Sequence, residues 1–452
     1  MKKILLISAN RHKEPYPVYP LGVTYLKSYL DRHLQGFETT ILDCNMFDNK
    51  QLAELIKQQS PNYIGISLRN IDGCNSLDRS SFVGDYKQII DIVRSVSTSP
   101  LIIGGTAFSI YPKTLFDELK PNFGIMGEGE ESLNRLITAL ENGEETSTIE
   151  GVVSYKDGKF ICNKHSAYLK SLDAQFDPNL INYYWKDSGM LNIQTKRGCP
   201  YNCIYCSYPL IDGRKVRTLD PEMIIENIKK LKTDEGVNYM FFTDSVFNIH
   251  NSYNVELAEK LIKSELKIRW GAYFAPNNMT NDMWTLFKAS GLTHVEFGTE
   301  SFSDQQLANY GKQFTVSDVL KQSELCLNNN IYYAHYLILG GYKEDAKSIK
   351  ETIENSKKMS YSVYFPYFGM RIYPGTKLQT IAINEGLITK ENDLLAPTYY
   401  IAKDFDIEKI KSEARATEKA WVFPDDPIDE MMDVFRKKKN KKGLLWEYLR
   451  KP

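Results

Sequence analysis

Three cysteines stand close together in the middle of the chain, and they are the residues best suited to chemistry. Cys199, Cys203 and Cys206 lie within the stretch KRGCPYNCIYCSYP, whereas the other four of the seven cysteines are isolated. Neighbouring thiolates can bind a metal, cycle between redox states or form disulfides. Because cysteine is sparse, a reducing compartment is favoured, and a disulfide knot is therefore unexpected.

The spacing leaves two kinds of metal site open. A structural zinc site is closed by four ligands, usually in two pairs. The cysteines and histidines nearest in the sequence form no second pair; they are Cys162, Cys326, His165 and His250. An iron–sulfur cluster held by only three thiolates leaves one iron open to another ligand.

The elements that position these cysteines form a series of βα units in residues 186–390. Six β-rich runs alternate with helical stretches, and the cysteines follow the first run directly. The runs are MLNIQTKRG, NYMFFTDS, IRWGAYFA, HVEFGTES, IYYAHYLILG and YSVYFPYFGMRI. Six such units predict a partial (β/α)6 barrel whose site lies at the carboxyl ends of its strands. Residues 391–452 are expected to form a mostly helical extension with a basic tail.

The first 140 residues predict a separate α/β domain. Five short apolar runs, beginning with KKILLISA, alternate with helix-like segments and indicate a doubly wound parallel sheet. No G-x-G-x-x-G follows the first run, so a dinucleotide is not the expected ligand. Residues 141–185 are interpreted as a linker that contains one hairpin around KDGK.

The C-x3-C-x2-C pattern, with Tyr205 before its last cysteine, resembles the signature of radical S-adenosylmethionine enzymes. This resemblance implies a [4Fe–4S] cluster bound by Cys199, Cys203 and Cys206, with S-adenosylmethionine chelating the open iron. It also implies cleavage to a 5′-deoxyadenosyl radical that abstracts hydrogen from a substrate.

The same resemblance implies that other strand ends contact S-adenosylmethionine. The residues are Tyr205 beside the cluster, Thr243, Asp244 and Ser245 after the second strand, Glu300 and Ser301 after the fourth, Gly340 after the fifth and Arg371 after the sixth. The fifth element departs from the family pattern because Pro-Gly does not follow its glycine.

The N-terminal domain resembles the Rossmann-like cobalamin domain found in one class of these enzymes. The resemblance rests on the motifs YPLG, GG and GEGE. The residues it implies as cobalamin contacts are Gly22, Ser67, Leu68, Arg69, Gly104, Gly105, Gly127 and Glu128.

The loop around His12 differs from the motif that carries the cobalt-binding histidine in many cobalamin domains. His12 lies in NRHKEP, where Asn10 and Pro15 replace the aspartate and glycine of the family motif D-x-H-x-x-G. Without the carboxylate that orients a metal-bound imidazole, His12 is interpreted as a loop residue. Arg69 is expected to face the lower side of cobalt without coordinating it.

The expected function is methylation of an unactivated carbon by a cobalamin-dependent radical enzyme. A cobalamin-type radical enzyme that catalyses a rearrangement or oxidation, and a zinc-stabilised binding module, are the alternatives. A methylthiotransferase is disfavoured because it needs a second cysteine triad, whereas Cys44 and Cys74 stand alone. No catalytic residue beyond the cofactor contacts is identified.

Charge and composition constrain the partners. The net charge of −1 gives no excess of positive charge of the kind that binds nucleic acid. The tail Arg436–Lys451 carries eight basic residues and one acidic residue, so it is either a solvated terminus or a dock for an anionic carrier or membrane surface. A flavodoxin- or ferredoxin-type electron donor and a cytoplasmic location are expected.

The substrate is expected to be a small or lipid-like molecule. The lipid hypothesis rests on a resemblance to members associated with lipid biosynthesis and on aromatic residues of the last two strands, which are expected at the open mouth of the barrel or, equally, in its ordinary core. These residues are Tyr332, Tyr333, Tyr336, Tyr364, Tyr367 and Phe368.

Overall fold

The computed structural model describes residues 1–13, 16–166, 168–169, 172, 174–428, 430, 432, 434–435 and 443–452 of the 452-residue chain. These residues form two compact units. The first comprises Met1–Gly73, Ser80–Tyr184 and Leu210–Asp212, and the second comprises Cys74–Arg79, Trp185–Pro209 and Gly213–Pro452. The basic run 436–442, on which the carrier or membrane hypothesis depends, lies outside the described residues.

The first unit is built on a seven-stranded sheet. Its elements are β1 (Lys2–Ser8), α1 (Leu21–His33), β2 (Phe37–Asp43), α2 (Asn49–Gln59), β3 (Tyr63–Ser67), α3 (Val83–Val96), β4 (Leu101–Gly104), α4 (Thr106–Ile110), α5 (Pro112–Leu119), β5 (Phe123–Ile125), α6 (Glu130–Asn142), β6 (Val152–Lys156), β7 (Lys159–Cys162) and α7 (Pro178–Ser188), whose last residues belong to the second unit. The strand order is β2-β1-β3-β4-β5-β6-β7. Strands β1 to β5 are parallel, which confirms the predicted doubly wound sheet.

The order of the strands places a topological switch point between β1 and β3. Chain progression reverses there, because β2 lies on one side of β1 and β3 on the other. In open α/β sheets, ligands bind outside the carboxyl ends of the strands at such a point. The segments that follow Ser8 and Ser67 are therefore the natural ligand-binding loops of this unit.

The segment interpreted as a linker contributes to the first sheet. The predicted hairpin is present as β6 and β7, and β6 pairs antiparallel with β5 through Ile125 and Val152. Further along, the hydroxyl of Tyr184 in α7 donates to Asp43 Oδ2 at 2.6 Å. The hairpin and most of α7 are thus parts of the first unit, and the boundaries proposed at residues 140, 185 and 390 stay predictions.

The second unit contains the predicted βα series. Its elements are β8 (Leu191–Ile193), β9 (Lys196–Arg197), α8 (Tyr208–Ile211), which ends in the first unit, β10 (Arg217–Thr218), α9 (Pro221–Glu235), β11 (Tyr239–Phe242), α10 (Asn251–Lys263), β12 (Arg269–Phe274), α11 (Asn281–Ala289), β13 (Leu292–Glu300), α12 (Asp304–Tyr310), α13 (Val316–Asn328), β14 (Tyr332–Leu339), α14 (Ala346–Ser356), β15 (Val363–Phe368), β16 (Met370–Arg371), α15 (Lys377–Asn384), β17 (Tyr399–Tyr400), α16 (Ile407–Arg415), β18 (Ala420–Trp421) and a 3-10 helix at Trp446–Leu449. The main sheet has the order β18-β15-β14-β13-β12-β11-β8. Every pair in it is parallel, so the six predicted barrel strands are confirmed and β18 extends them.

The last ten residues close one end of this barrel. Trp446 is buried, and its indole Nε1 donates to Glu296 Oε1 at 3.0 Å. The Arg450 guanidinium lies 4.0 Å from the ring centroid of Tyr332, the first residue of β14. These contacts lie near the amino ends of the strands, so the C-terminal segment 443–452 forms a floor opposite the mouth.

The aromatic residues predicted at the mouth divide between two faces of the sheet. Tyr332, Tyr336 and Tyr367 keep partial exposure on the face that lines the barrel lumen. Tyr333, Tyr364 and Phe368 are buried on the helix-facing side, so of the two predicted places these three occupy the core and not the mouth. The physical reason is the two-residue period of a strand, which sends alternate side chains to opposite faces.

No described helix is long and apolar enough to cross a membrane.

Candidate functional site

The cysteine loop is folded tightly against a short two-stranded ladder. Arg197 of β9 pairs antiparallel with Arg217 of β10, and the Cys199 amide donates to the Gly213 carbonyl at 3.1 Å. Gly198 has φ +90, and a Cβ at this position would lie 2.2 Å from the Lys215 carbonyl oxygen. Only glycine permits this close approach at such a backbone angle. The first cysteine is thus fixed by backbone contacts on both sides.

A buried ion pair supports the base of the loop. Lys196 Nζ lies 2.7 Å from Asp244 Oδ2, with side-chain exposures of 2% and 0%. Asp244 Oδ1 also accepts from the amides of Thr195 and Lys196 at 2.7 and 3.0 Å, and the Thr195 hydroxyl donates to Oδ2. Burial lowers the pKa of Lys196, and the charge of Asp244 opposes that shift. Both carboxylate oxygens of Asp244 are therefore used in holding the loop.

The neighbours of Asp244 contact the same region. The Thr243 hydroxyl donates to the Ile193 carbonyl and the Ser245 hydroxyl to the Gly198 carbonyl, each at 3.3 Å. These three residues lie under the cysteine loop, as their position after the second barrel strand predicts. Their contact with S-adenosylmethionine stays a prediction.

The far side of the loop is held by α12 and α15. The Ile204 amide donates to the Tyr310 carbonyl at 3.1 Å, and the Leu378 amide donates to the Ile204 carbonyl at 2.8 Å. Gly311 has φ +77, and a Cβ there would lie 2.7 Å from the Asn202 carbonyl oxygen. The loop is therefore rigid on both sides, which suits a preorganised ligand set.

Tyr205, Glu300 and Lys312 form a buried polar group beside the cysteines. The Tyr205 hydroxyl donates to Glu300 Oε1 at 2.6 Å, and Lys312 Nζ donates to the same oxygen at 3.0 Å. Lys312 Nζ also donates to the Gly298 carbonyl at 3.1 Å. Glu300 adopts a positive φ of 70, which is unusual for this residue type. Tyr205 and Glu300 could be predicted from the sequence, whereas Lys312, a single lysine on a loop with no motif around it, could not.

The electrostatics of Cys199 and Cys206 favour a cationic ligand. Burial raises the pKa of Cys199, and burial together with the charges of Cys203 and Cys199 raises the pKa of Cys206 to about 12. Lys312 opposes both shifts. A metal supplies the positive charge that keeps such thiols deprotonated.

The three cysteines fit an iron–sulfur cluster better than a single ion. Among the described residues, no three His, Cys, Asp or Glu side chains are arranged to bind one metal ion, so the zinc-module alternative gains no support. In a [4Fe–4S] cluster each thiolate binds a different iron, so the sulfurs need not converge on one point.

Three further residues predicted to contact S-adenosylmethionine have structural partners. The Ser301 hydroxyl lies 3.0 Å from Thr352 Oγ1, in the buried core under α14. The Gly340 amide donates to Glu344 Oε2 at 2.6 Å. The Arg371 guanidinium donates to backbone carbonyls, including that of Leu394 at 2.8 Å. Their roles as cofactor contacts stay predictions.

The switch point of the first sheet carries a small cavity. Its volume is about 140 Å³, and its lining consists of Ala9, Asn10, Arg11, His12, Phe82, Asp85 and Tyr86. His12 is exposed, and its ring lies 5.4 Å from that of Phe82. Asn10, which replaces the family aspartate, donates to the His12 carbonyl at 3.2 Å. Arg69, after β3, is also exposed.

The glycine-rich loops of the first unit pack closely against one another. Gly105 has φ +94, and a Cβ there would lie 2.6 Å from the Leu68 carbonyl oxygen. The Leu68 amide donates to the Gly104 carbonyl at 2.8 Å, and the Ser67 carbonyl accepts from the Ala9 amide at 3.2 Å. These contacts join the loops after β1, β3 and β4 at the switch point.

The remaining predicted cobalamin contacts differ in how closely they are packed. No atom would lie within 4 Å of a Cβ at Gly22. Gly127 has φ +78 and packs against the ring of His165, and Glu128 Oε2 accepts from the Leu169 amide at 3.0 Å. The contacts of these residues and of the switch-point loops with cobalamin stay predictions.

Comparisons with known proteins identify both units. The Radical SAM superfamily model matches residues 193–355, and the B12 binding domain model matches residues 7–137. An uncharacterised methyltransferase of Pyrococcus horikoshii is 24% identical over 382 residues, which cover 82% of this chain and 80% of the relative. The anaerobic magnesium-protoporphyrin IX monomethyl ester cyclase of Rubrivivax gelatinosus is 24% identical over 389 residues. These residues cover 81% of this chain and 68% of the relative.

A solved structure has the same fold throughout. The radical S-adenosylmethionine methyltransferase TsrM from Kitasatospora setae, solved with cobalamin and a [4Fe–4S] cluster, superposes with a TM-score of 0.88 at 19% identity. The match covers 100% of this chain and 98% of that one. At this identity the likeness establishes the fold, and the family models establish the two domains. The chain thus carries a B12 binding domain followed by a Radical SAM domain.

Proposed function

We propose that the protein is a cobalamin-dependent radical S-adenosylmethionine enzyme that methylates a carbon atom of a small organic substrate. The observation that carries the proposal is the rigid three-cysteine loop at the mouth of a partial barrel, in one chain with a B12-binding domain. The methyltransferase names of the Pyrococcus and Kitasatospora proteins support the same reaction class.

The two units would bind different cofactors. Cys199, Cys203 and Cys206 would hold the cluster, and the strand-end loops of the first sheet would hold cobalamin. When bound, the cluster and S-adenosylmethionine supply one-electron cleavage to a carbon radical, and cobalamin supplies a transferable methyl group. The protein itself orients these groups and excludes water.

The barrel lumen is the proposed substrate site. Tyr336 and Tyr367 line it with partial exposure, and Tyr273 is 39% exposed on the same face. Gly298 lies between Glu296 and Glu300 on β13, and a Cβ there would contact only Glu300 Oε1, at 3.6 Å. A flat or slender organic molecule suits a lumen with aromatic walls and this gap. The Kitasatospora enzyme has been captured with tryptophan as its substrate.

The partners proposed for the reaction follow from its chemistry. A low-potential one-electron donor of the flavodoxin or ferredoxin type would reduce the cluster. The sequence supports a lipid-like substrate, and an anionic carrier or a membrane surface as a partner of the basic tail. A cytoplasmic location is proposed from the seven cysteines, all of which are free thiols.

A non-methylating reaction is the second candidate. The Rubrivivax relative is a cyclase by name and matches this chain with the same identity as the Pyrococcus methyltransferase. An oxidative ring closure or a rearrangement would use the same cysteine loop. The fate of the methyl group distinguishes the two reactions.

The test uses full-length protein reconstituted anaerobically with iron, sulfide and cobalamin. The protein is incubated with a one-electron reductant and S-adenosylmethionine labelled in its methyl group. Methylation predicts labelled methylcobalamin, visible in the absorption spectrum, together with S-adenosylhomocysteine and 5′-deoxyadenosine. If 5′-deoxyadenosine forms while cobalamin never acquires label, the methyltransferase proposal is wrong and the second candidate is favoured.

A further inference from the structure

A buried ammonium group lies next to the cysteine loop without a role in the chemistry described above. The Lys312 side chain is 8% exposed, and its Nζ lies 5.6 Å from the centroid of the Tyr205 ring. Tyr205 stands between Cys203 and Cys206 in the sequence. Lys312 is therefore a fixed positive charge beside the cysteine loop, near enough for the charges of Cys203 and Cys206 to act on it.

Lys312 has one carboxylate partner, Glu300, among the described residues. Glu300 Oε1 accepts from Lys312 Nζ at 3.0 Å and from the Tyr205 hydroxyl at 2.6 Å. Burial lowers the pKa of Lys312, but the charges of Glu300 and Cys203 outweigh burial, so that the pKa is raised and the lysine stays charged. The pair places one positive and one negative charge beside the cluster site.

The two charges are held in place by the fold. Lys312 Nζ is anchored by the Gly298 carbonyl at 3.1 Å. Gly311, which precedes Lys312, packs directly on the Asn202 carbonyl of the cysteine loop. Glu300 occupies a positive-φ position at the end of β13. A charge that cannot move away or be solvated exerts a larger effect on its surroundings than an exposed one.

We propose that Lys312 and Glu300 form a counter-charge pair that sets the reduction potential of the cluster, with the lysine raising the potential and the carboxylate lowering it. The proposal rests on the cluster assigned under the proposed function. Reduction brings one electron from an external one-electron donor onto the cluster, and neither side chain gains or loses a proton or a bond. The added negative charge is stabilised by Lys312 and opposed by Glu300, since charge near a cluster shifts its potential.

The experiment measures the cluster's midpoint potential by redox titration followed by electron paramagnetic resonance. It uses full-length reconstituted protein without S-adenosylmethionine, cobalamin or substrate. The variants are Lys312→Met, which removes the charge, Lys312→Arg, which keeps it, and Glu300→Gln, which removes the opposing charge and can still accept from Tyr205. Iron and sulfide content and circular dichroism verify that each variant is loaded and folded.

The expected shifts have opposite signs. Lys312→Met should lower the midpoint potential of the cluster. At a fixed applied potential, the ratio of reduced to oxidised cluster should become at least tenfold smaller. A tenfold change in this ratio corresponds to 59 mV for a one-electron couple. Glu300→Gln should raise the ratio of reduced to oxidised cluster, and Lys312→Arg should leave that ratio near the wild-type value. The double variant Lys312→Met with Glu300→Gln should have a ratio closer to wild type than either single variant. If Lys312→Met cannot be loaded, the sign of the Glu300→Gln shift decides alone.

Two results would overturn the proposal. Potentials that stay the same in Glu300→Gln and Lys312→Met show that the pair does not tune the cluster, even if affinity for S-adenosylmethionine changes. Shifts of the same sign in both variants show a structural disturbance instead of a charge effect. A wild-type protein that binds no cluster defeats the proposed function itself, so the two failures are distinguishable.

Discussion

Lys196 Nζ and Asp244 Oδ2 form an ion pair of 2.7 Å that lies almost entirely out of contact with solvent. The pair joins the residue that begins the cysteine loop to the strand end beneath it. Taking two charges out of water is costly, and their attraction compensates only while both are present. This relationship makes Asp244 a support of the loop in addition to any contact it makes with a cofactor.

Replacing Asp244 by Asn should destabilise the second unit because it leaves the Lys196 ammonium buried and unpaired. Breaking a buried pair from one side costs about 3–5 kcal/mol. Urea denaturation of the apo-protein measures the loss. The double variant Lys196→Met with Asp244→Asn should recover part of it, whereas Glu222→Gln, which breaks the exposed pair with Lys260, should leave stability unchanged. If Asp244→Asn unfolds at the same urea concentration as wild type, Asp244 does not support the cysteine loop.

Cys203→Ala should abolish cluster assembly and 5′-deoxyadenosine formation while the chain stays folded. Three thiolates are the smallest set that holds this cluster with an open iron. Iron and sulfide analysis and product chromatography check the outcome. Cys162→Ala is the matched control, because Cys162 ends β7 in the first sheet. Normal cleavage of S-adenosylmethionine by Cys203→Ala would place the site elsewhere.

Gly298→Leu should close the lumen without disturbing the cysteine loop. The side chain would enter the space above Tyr336, the cross-strand neighbour of Gly298 on β14. We expect turnover of substrate to fall at least tenfold while cluster content and uncoupled cleavage of S-adenosylmethionine are retained. Gly298→Ala is the graded control, because its Cβ would lie 3.6 Å from Glu300 Oε1, an ordinary van der Waals distance. Equal substrate turnover in the leucine variant and wild type would show that the substrate does not enter the lumen.

The positions of the strand-end residues could be predicted because they follow from the βα rhythm. Thr243 and Glu300 lie where the ends of the second and fourth barrel strands predict. Orientation was harder to predict. Ser301 follows Glu300 directly, yet its hydroxyl contacts Thr352 in the core while Glu300 contacts Tyr205 and Lys312.

Other features left no pattern in the sequence. Strand β18 has two residues, Ala420 and Trp421, which are too few to show a period. Lys312 and Glu296 are single ionisable residues whose partners are distant in the sequence, so only the tertiary fold reveals them. Trp446 stands within a basic tail whose composition suggested a solvated end, and the structure buries it instead.

Glu296 should make the stability of the protein depend on pH near neutrality. Burial raises the pKa of this carboxyl from 4.5 to about 7, against hydrogen bonds that lower it. The folded state therefore retains the proton between pH 4.5 and 7 while the unfolded state releases it. Stability falls as pH rises through this window, by up to about 1.4 kcal/mol for each pH unit.

The variant Glu296→Gln tests this dependence because its amide oxygen can still accept from Trp446. The difference in unfolding free energy between variant and wild type should grow in favour of the variant from pH 5 to 7. Denaturant titrations at several pH values measure it. Glu344 has a pKa raised to about 7 by burial and should contribute similarly, so Glu344→Gln offers a second measurement. Parallel stability curves for wild type and Glu296→Gln would show that the carboxyl does not titrate in this range.

Trp446→Ala should open the barrel floor and cost about 3–5 kcal/mol of unfolding free energy, as large-to-small changes at buried aromatic residues do. Two effects add: the cavity left by the indole, and the loss of its 3.0 Å hydrogen bond to the buried Glu296. Trp446→Phe separates them, because it keeps most of the packing and removes only the donor, at about 1–3 kcal/mol. Tyr448→Ala, at an exposed side chain of the same turn, is the control. Chemical denaturation ranks the variants, and equal stability of Trp446→Ala and Tyr448→Ala would mean that the C-terminal segment does not close the barrel in solution.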